Sequence, residues 1–211
     1  MTQRSIEWYF DFISPFTYLA HEQLDRLPAD VELIYRPVLF AGLLGHWQTK
    51  GPEEVTAHRT FTYRYCHWLA GNLDIPFRMP RAHPFNPLPA LRLSIALQNK
   101  PQAVARIFHF IWREGRLPED ERPWQALIDS FEIPDLRERL EADDTKQRLR
   151  ENTQTAISQG VFGVPTFRVD GQLFWGQDGL PFLSDYLENP SLLEEAEMVR
   201  VSTLPAAVQR Q

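Results

Sequence analysis

A single cysteine, Cys66, occurs in 211 residues, so the chain can form neither a disulfide framework nor a Cys-x-x-Cys pair, and dithiol redox chemistry is excluded. The same scarcity fits a reducing compartment. Six histidines form no His-Glu-x-x-His or related spacing, so no metal is expected. Neither a Gly-x-Gly-x-x-Gly nor a Walker A stretch is present, which removes the usual cradles for nucleotide phosphates. Basic residues are outnumbered, 22 Lys and Arg against 28 Asp and Glu, and a net charge of -6 argues against a nucleic-acid partner. No apolar run approaches the ~20 residues of a membrane span. Glu7 and Asp11 interrupt any signal-peptide core, so a cytoplasmic protein without membrane association is expected.

Against these absences stands a chain that is 43% hydrophobic and rich in aromatics, ample for a packed core. Ile6, Trp8, Phe10 and Phe12 alternate in a short aromatic run that reads as a central strand buried on both faces. The stretch from Ser14 to Leu27 keeps Phe16, Leu19, Leu24 and Leu27 near helical spacing until Pro28 ends it, and Val31 to Tyr35 reads as a second strand. Strand, helix and strand in this order form a βαβ unit with a right-handed crossover. Helical periodicity dominates after Pro37: Phe61, Tyr65 and Trp68 fall on one face of a helix, and Val104, Ile107, Phe108, Ile111 and Trp112 on one face of another. Cys66, in the first of these, reads as a buried, inert thiol. The segment Pro76 to Pro89 holds five prolines and must be extended or turning. Glu119 to Arg150 reads as short surface helices. Asp170-Gly171, between Thr166–Val169 and Leu173–Trp175, is a hairpin signal, because the turn needs positive φ. Leu180 to Leu187 makes a last helix, and the polar stretch after Asn189-Pro190 reads as a peripheral tail.

Asp11-Phe12-Ile13-Ser14-Pro15-Phe16-Thr17-Tyr18-Leu19-Ala20 resembles the N-terminal motif of the 2-hydroxychromene-2-carboxylate isomerases, relatives of kappa-class glutathione transferases within the DsbA-like thioredoxin group. Gly160-Val161-Phe162-Gly163-Val164-Pro165-Thr166-Phe167 and Phe174-Trp175-Gly176-Gln177-Asp178 are similar to the same family and follow in family order. The resemblance implies a thioredoxin-like α/β domain over residues 1–40 and 151–190, a large all-helical insertion over 41–150 and a tail over 191–211. It also implies glutathione as cofactor, a small aromatic carboxylate as substrate and a homodimer.

Ser14 has a plain structural role open to it, since Ser followed by Pro is a favoured helix N-cap. The resemblance implies a further one: Ser14 stands where redox relatives carry a cysteine, and its hydroxyl would donate a hydrogen bond to the thiolate of bound glutathione at the helix N-terminus. Val164-Pro165 could be an ordinary trans turn. The resemblance implies a cis bond facing the Ser14 helix, with the Val164 backbone displayed for an added peptide strand. Trp175, Gly176, Gln177 and Asp178 precede the last helix. Asp178 either caps that helix or, with the backbone N–H groups there, meets the γ-glutamyl end of glutathione.

For the aromatic substrate the candidates are Asn86, Lys50 and Trp47, a cation and an aromatic wall suiting an anionic ring compound. His46, Arg59 and Tyr63 are alternatives, with surface charge or helix packing as their simpler roles. The family's reaction interconverts 2-hydroxychromene-2-carboxylate and trans-o-hydroxybenzylidenepyruvate in the breakdown of naphthalene-type aromatics, glutathione being recycled. A kappa-like transferase or peroxidase that consumes glutathione, and a non-catalytic glutathione-binding protein of the same fold, are the competing readings.

Overall fold

The computed structural model describes residues 4–207. Four strands, β1 (Arg4–Phe10), β2 (Val31–Pro37), β3 (Thr166–Val169) and β4 (Gln172–Trp175), form one mixed sheet in the order β2-β1-β3-β4. β1 pairs in parallel with β2 and antiparallel with β3, which pairs antiparallel with β4. In the β3-β4 hairpin, Asp170 and Gly171 adopt φ of 51° and 81°, the positive values that an Asp-Gly turn supplies. The ten α-helices of the described residues are α1 (Pro15–His21), α2 (Phe40–Trp47), α3 (Thr56–Asn72), α4 (Leu88–Ala96), α5 (Pro101–Phe108), α6 (Glu121–Asp129), α7 (Leu136–Glu141), α8 (Asp143–Ser158), α9 (Leu180–Glu188) and α10 (Ala196–Ser202). The expected thioredoxin-like sheet, with most helices between β2 and β3, is the observed fold. The boundary drawn at 150/151 falls inside α8, a single uninterrupted helix.

The aromatic alternation of β1 explains its central place. Ile6, Trp8 and Phe10 enter the larger core with Tyr18, Phe108, Trp112, Phe167 and Phe174. Tyr9, pointing the other way, enters a smaller cluster with Leu43 and Ala156, which come from α2 and α8. Both faces are therefore apolar, as a strand covered on both sides requires.

Two sequence expectations are corrected. Leu24 and Leu27 keep helical spacing, yet α1 stops at His21, because Gln23 turns its amide back to donate to the Leu19 carbonyl and the chain continues as a 3₁₀ turn over Leu24–Arg26. On α3 the buried face is Thr62, Cys66 and Ala70, whereas Phe61 and Trp68 are 64% and 59% exposed. These aromatics stack on one another through Tyr65, with ring centroids 5.8 Å and 5.7 Å apart, and Phe61 and Tyr65 line a cavity. The stretch after Asn189 forms a 3₁₀ turn over Pro190–Glu194 and then α10, which has no buried residue. Cys66 is fully buried, and burial pushes its thiol up to about 12. It is expected to resist iodoacetamide in the native protein and to alkylate only on unfolding, an outcome read by mass spectrometry.

Candidate functional site

Between β1 and α1 the chain makes a short loop, Asp11 to Ser14, held from several sides. Asp11 is fully buried, and its carboxylate accepts the Ile13 N–H at 3.1 Å and the N–H of Phe40, the first residue of α2, at 2.8 Å. Trp112 Nε1 donates to the Phe12 carbonyl at 2.8 Å, and His83 Nε2 to the Ile13 carbonyl at 2.7 Å. Ser14 is the N-cap of α1: its Oγ accepts the Thr17 N–H at 3.2 Å, with Pro15 at the first helical position. That bond uses a lone pair, so the hydroxyl hydrogen of Ser14 stays available to another acceptor. The Phe16 N–H has no partner among the described residues.

Ser14 opens into a cavity of about 480 Å³. Its walls are largely aromatic, with Phe16, Phe61, Tyr65, Phe162 and Trp175, and its polar groups include Lys50, His58, Tyr63 and His83. A smaller cavity, of about 280 Å³ among α4, α5 and α7, holds no residue that the sequence singled out.

The Val164-Pro165 bond is cis, as the resemblance implies, and Val164 lines the Ser14 cavity. The Val164 N–H and carbonyl make no hydrogen bond among the described residues, although Pro165 beside it accepts the Gly176 N–H at 2.9 Å. Gly163 allows a close approach here: a Cβ would meet Trp175 Nε1 at 2.5 Å unless the indole moved. The indole thus lies against the Val-Pro turn, and Trp175 lines the same cavity.

Past Trp175 the chain turns at Gly176, φ 91°. The N–H groups of Gln177 and Asp178 have no partner among the described residues. Gln23 Nε2 reaches Gln177 Oε1 at 3.5 Å, tying this turn to the segment after α1. Asp178 is exposed and does not cap α9; the N-cap is Gly179, without a side-chain bond.

Of the residues singled out, Ser14, Val164, Trp175 and Lys50 share the cavity. Pro165, Gly176, Gln177 and Asp178 continue from it along the adjoining turn. Trp47 and Asn86 do not line it: Trp47 Nε1 donates to the Val161 carbonyl at 2.9 Å, and Asn86 Oδ1 accepts the Leu88 N–H at 3.1 Å, at the start of α4. His46 packs against Trp47, with ring centroids 4.9 Å apart, and Arg59 likewise stays outside the lining, whereas Tyr63 belongs to it. Asp11 and His83 were not singled out. Asp11 had a visible signal, a carboxylate between Phe10 and Phe12 in an apolar run; His83 had none beyond its place in the proline-rich loop. The His83-Pro84 bond is cis as well.

No group of three or more His, Cys, Asp and Glu among the described residues is arranged to hold a metal, and no helix there is long and apolar enough to cross a membrane.

Comparison with known proteins gives a consistent result. The family model of the DSBA-like thioredoxin domain matches residues 5–188. The chain is 29% identical to a 2-hydroxychromene-2-carboxylate isomerase of Sphingobium xenophagum, over 87% of this chain and 98% of the relative. It is 26% identical to glutathione S-transferase kappa 2 of Caenorhabditis elegans, over 89% of this chain and 93% of the relative. A solved structure of a 2-hydroxychromene-2-carboxylate isomerase matches with a TM-score of 0.77 at 22% identity, covering 92% of this chain and 98% of that one.

Proposed function

The chain belongs to the DSBA-like thioredoxin domain family, and from that premise we propose that it is a glutathione-dependent isomerase acting on a conjugated aromatic carboxylate. The reaction would be the interconversion of 2-hydroxychromene-2-carboxylate and trans-o-hydroxybenzylidenepyruvate, or a related step in the catabolism of naphthalene-type compounds. One observation carries this reading: a serine with a free hydroxyl hydrogen and a valine whose backbone N–H and carbonyl are unpaired among the described residues line one cavity, in a chain with no dithiol.

The residues fit the tripeptide. Ser14 Oγ and the Phe16 N–H would donate to its sulfur, a charge-assisted arrangement that favours the thiolate. The Val164 backbone would pair with the cysteinyl unit as an added strand. The unpaired N–H groups of Gln177 and Asp178 suit a carboxylate, and the Asp178 side chain suits an ammonium group. Bound there, glutathione supplies a nucleophile that adds to and leaves the conjugated double bond, so that rotation occurs and the thiol is regenerated. The aromatic walls would hold the substrate ring and shed water, with Lys50 meeting its carboxylate.

Catalytic amounts of glutathione are expected to support many turnovers, with S-methylglutathione binding and giving none. Thiol assay alongside product formation decides the matter. Loss of one glutathione per product would favour the transferase reading, for which the kappa-class relative speaks. Full activity without any thiol would overturn the proposal.

A further inference from the structure

Two side chains of the cavity, Tyr63 and His83, form a hydrogen-bonded pair that holding the tripeptide does not require. The pair's geometry constrains where protons sit. His83 Nε2 lies 2.7 Å from the carbonyl of Ile13, the residue before Ser14, and must carry a hydrogen, because a carbonyl only accepts. Tyr63 Oη lies 2.8 Å from His83 Nδ1 and 2.8 Å from the His83 carbonyl, yet a phenol has one hydrogen.

In a neutral imidazole, Nδ1 takes the Tyr63 hydrogen, and Tyr63 Oη faces the His83 carbonyl with no hydrogen between the two oxygens. In an imidazolium, Nε2 donates to Ile13, Nδ1 donates to Tyr63 Oη, and Tyr63 donates to the His83 carbonyl. Only the protonated ring satisfies all three contacts together. The surroundings act the other way in the free protein: burial lowers the His83 pKa, opposed by the Ile13 carbonyl and by Glu53. The Tyr63 hydroxyl is kept protonated, chiefly by burial. Burial thus favours the neutral ring in the free protein, while the contacts already made are those a charged ring would satisfy.

We propose that His83 stores the proton given up by the glutathione thiol, with Tyr63 as the relay. As the S–H bond breaks, its proton passes to Tyr63 Oη while Tyr63 passes its own hydrogen to His83 Nδ1, leaving a thiolate and an imidazolium. Departure of the tripeptide reverses both transfers, so no other reactant is consumed. This rests on the glutathione reading above, and the test separates the two.

Protein carrying ¹⁵N-histidine, with the His83 signals identified by their loss in His83→Gln, is titrated near neutral pH with glutathione and separately with S-methylglutathione. The His83 nitrogens are expected to move to the imidazolium pattern with glutathione and to keep the neutral pattern with the S-methyl form. In Tyr63→Phe, with binding of the tripeptide checked in the same titration, His83 is expected to stay neutral. Proton release is read by calorimetry in buffers of different ionisation heat. It is expected near zero for the wild-type protein and about one per thiolate formed in His83→Gln, since the thiol carries one proton. A His83 that stays neutral in the wild-type complex overturns the proposal. Thiolate absorbance in that same sample shows whether the glutathione reading survives, and absence of glutathione binding overturns both. An imidazolium signal in the Tyr63→Phe complex overturns the relay.

Discussion

Replacing Ser14 with alanine is expected to lower turnover by roughly 10–150-fold while leaving the protein folded, because one hydrogen bond to an anionic sulfur is worth about 1.5–3 kcal/mol. The substitution also removes the cap on Thr17, at about 1 kcal/mol of stability. The two losses can be told apart. Ser14→Gly also lacks the donor, but glycine is tolerated at an N-cap at a cost of a few tenths of a kcal/mol. Turnover should fall equally in both variants, whereas the thermal midpoint should drop mainly in Ser14→Ala. Steady-state kinetics at saturating glutathione, with circular dichroism melts, checks this. A wild-type rate in folded Ser14→Ala would leave Ser14 with the cap alone.

The second large effect concerns Asp11 and the dependence of stability on pH. Burial raises this carboxyl from an ordinary 3.8 to about 7, against the backbone N–H groups of Phe40, Ile13 and Phe12, which favour the charged form. The folded protein therefore keeps a proton that the unfolded chain releases between those two values. Stability from this group is fully present below about pH 4, declines as pH rises, and is lost above about pH 7, a span of about 4 kcal/mol at 1.36 kcal/mol per pH unit. Asp11→Asn cannot titrate. It leaves one of the N–H groups without its acceptor, at a cost of about 1–3 kcal/mol that does not vary with pH. The stability advantage of the wild type over Asp11→Asn should thus shrink by about 4 kcal/mol from about pH 4 to about pH 8. Urea denaturation across that range measures it. Parallel curves for the two proteins would show that the Asp11 carboxyl has the same pKa in the folded and unfolded chains.

The fold was legible where side chains alternate or where a turn demands a particular residue. β1 announced itself as central through aromatics on both faces, and Asp170-Gly171 through the positive φ that both residues adopt. Helix boundaries were less legible, since Leu24 and Leu27 keep helical spacing past the point where the Gln23 side chain ends α1. The Phe61, Tyr65 and Trp68 stripe misled for a related reason: spacing says which residues share a face, and not whether that face meets core, cavity or solvent. Ser14, Val164 and Trp175, singled out because the short motifs that hold them resemble a known family, line one cavity. Trp47 and Asn86 fell outside the cavity because each spends its polar group on a local backbone bond, which residue type does not reveal. His83 was invisible for the opposite reason, since its meaning comes from Tyr63 and Ile13, distant in sequence and adjacent in space.

The loop before Ser14 is clasped by Phe40, His83 and Trp112, which stand 29, 70 and 100 positions from the residues they hold. The Ser14 turn is therefore not a detachable motif. Grafting the Asp11-to-Ala20 stretch into another thioredoxin-like scaffold would transplant the serine without the struts that aim it. Exchanging the helices between relatives would undo the same struts from the other side. Engineering a new substrate range in this chain is better directed at the cavity's outer rim, at Phe61 and Phe162, whose side chains carry none of that scaffolding.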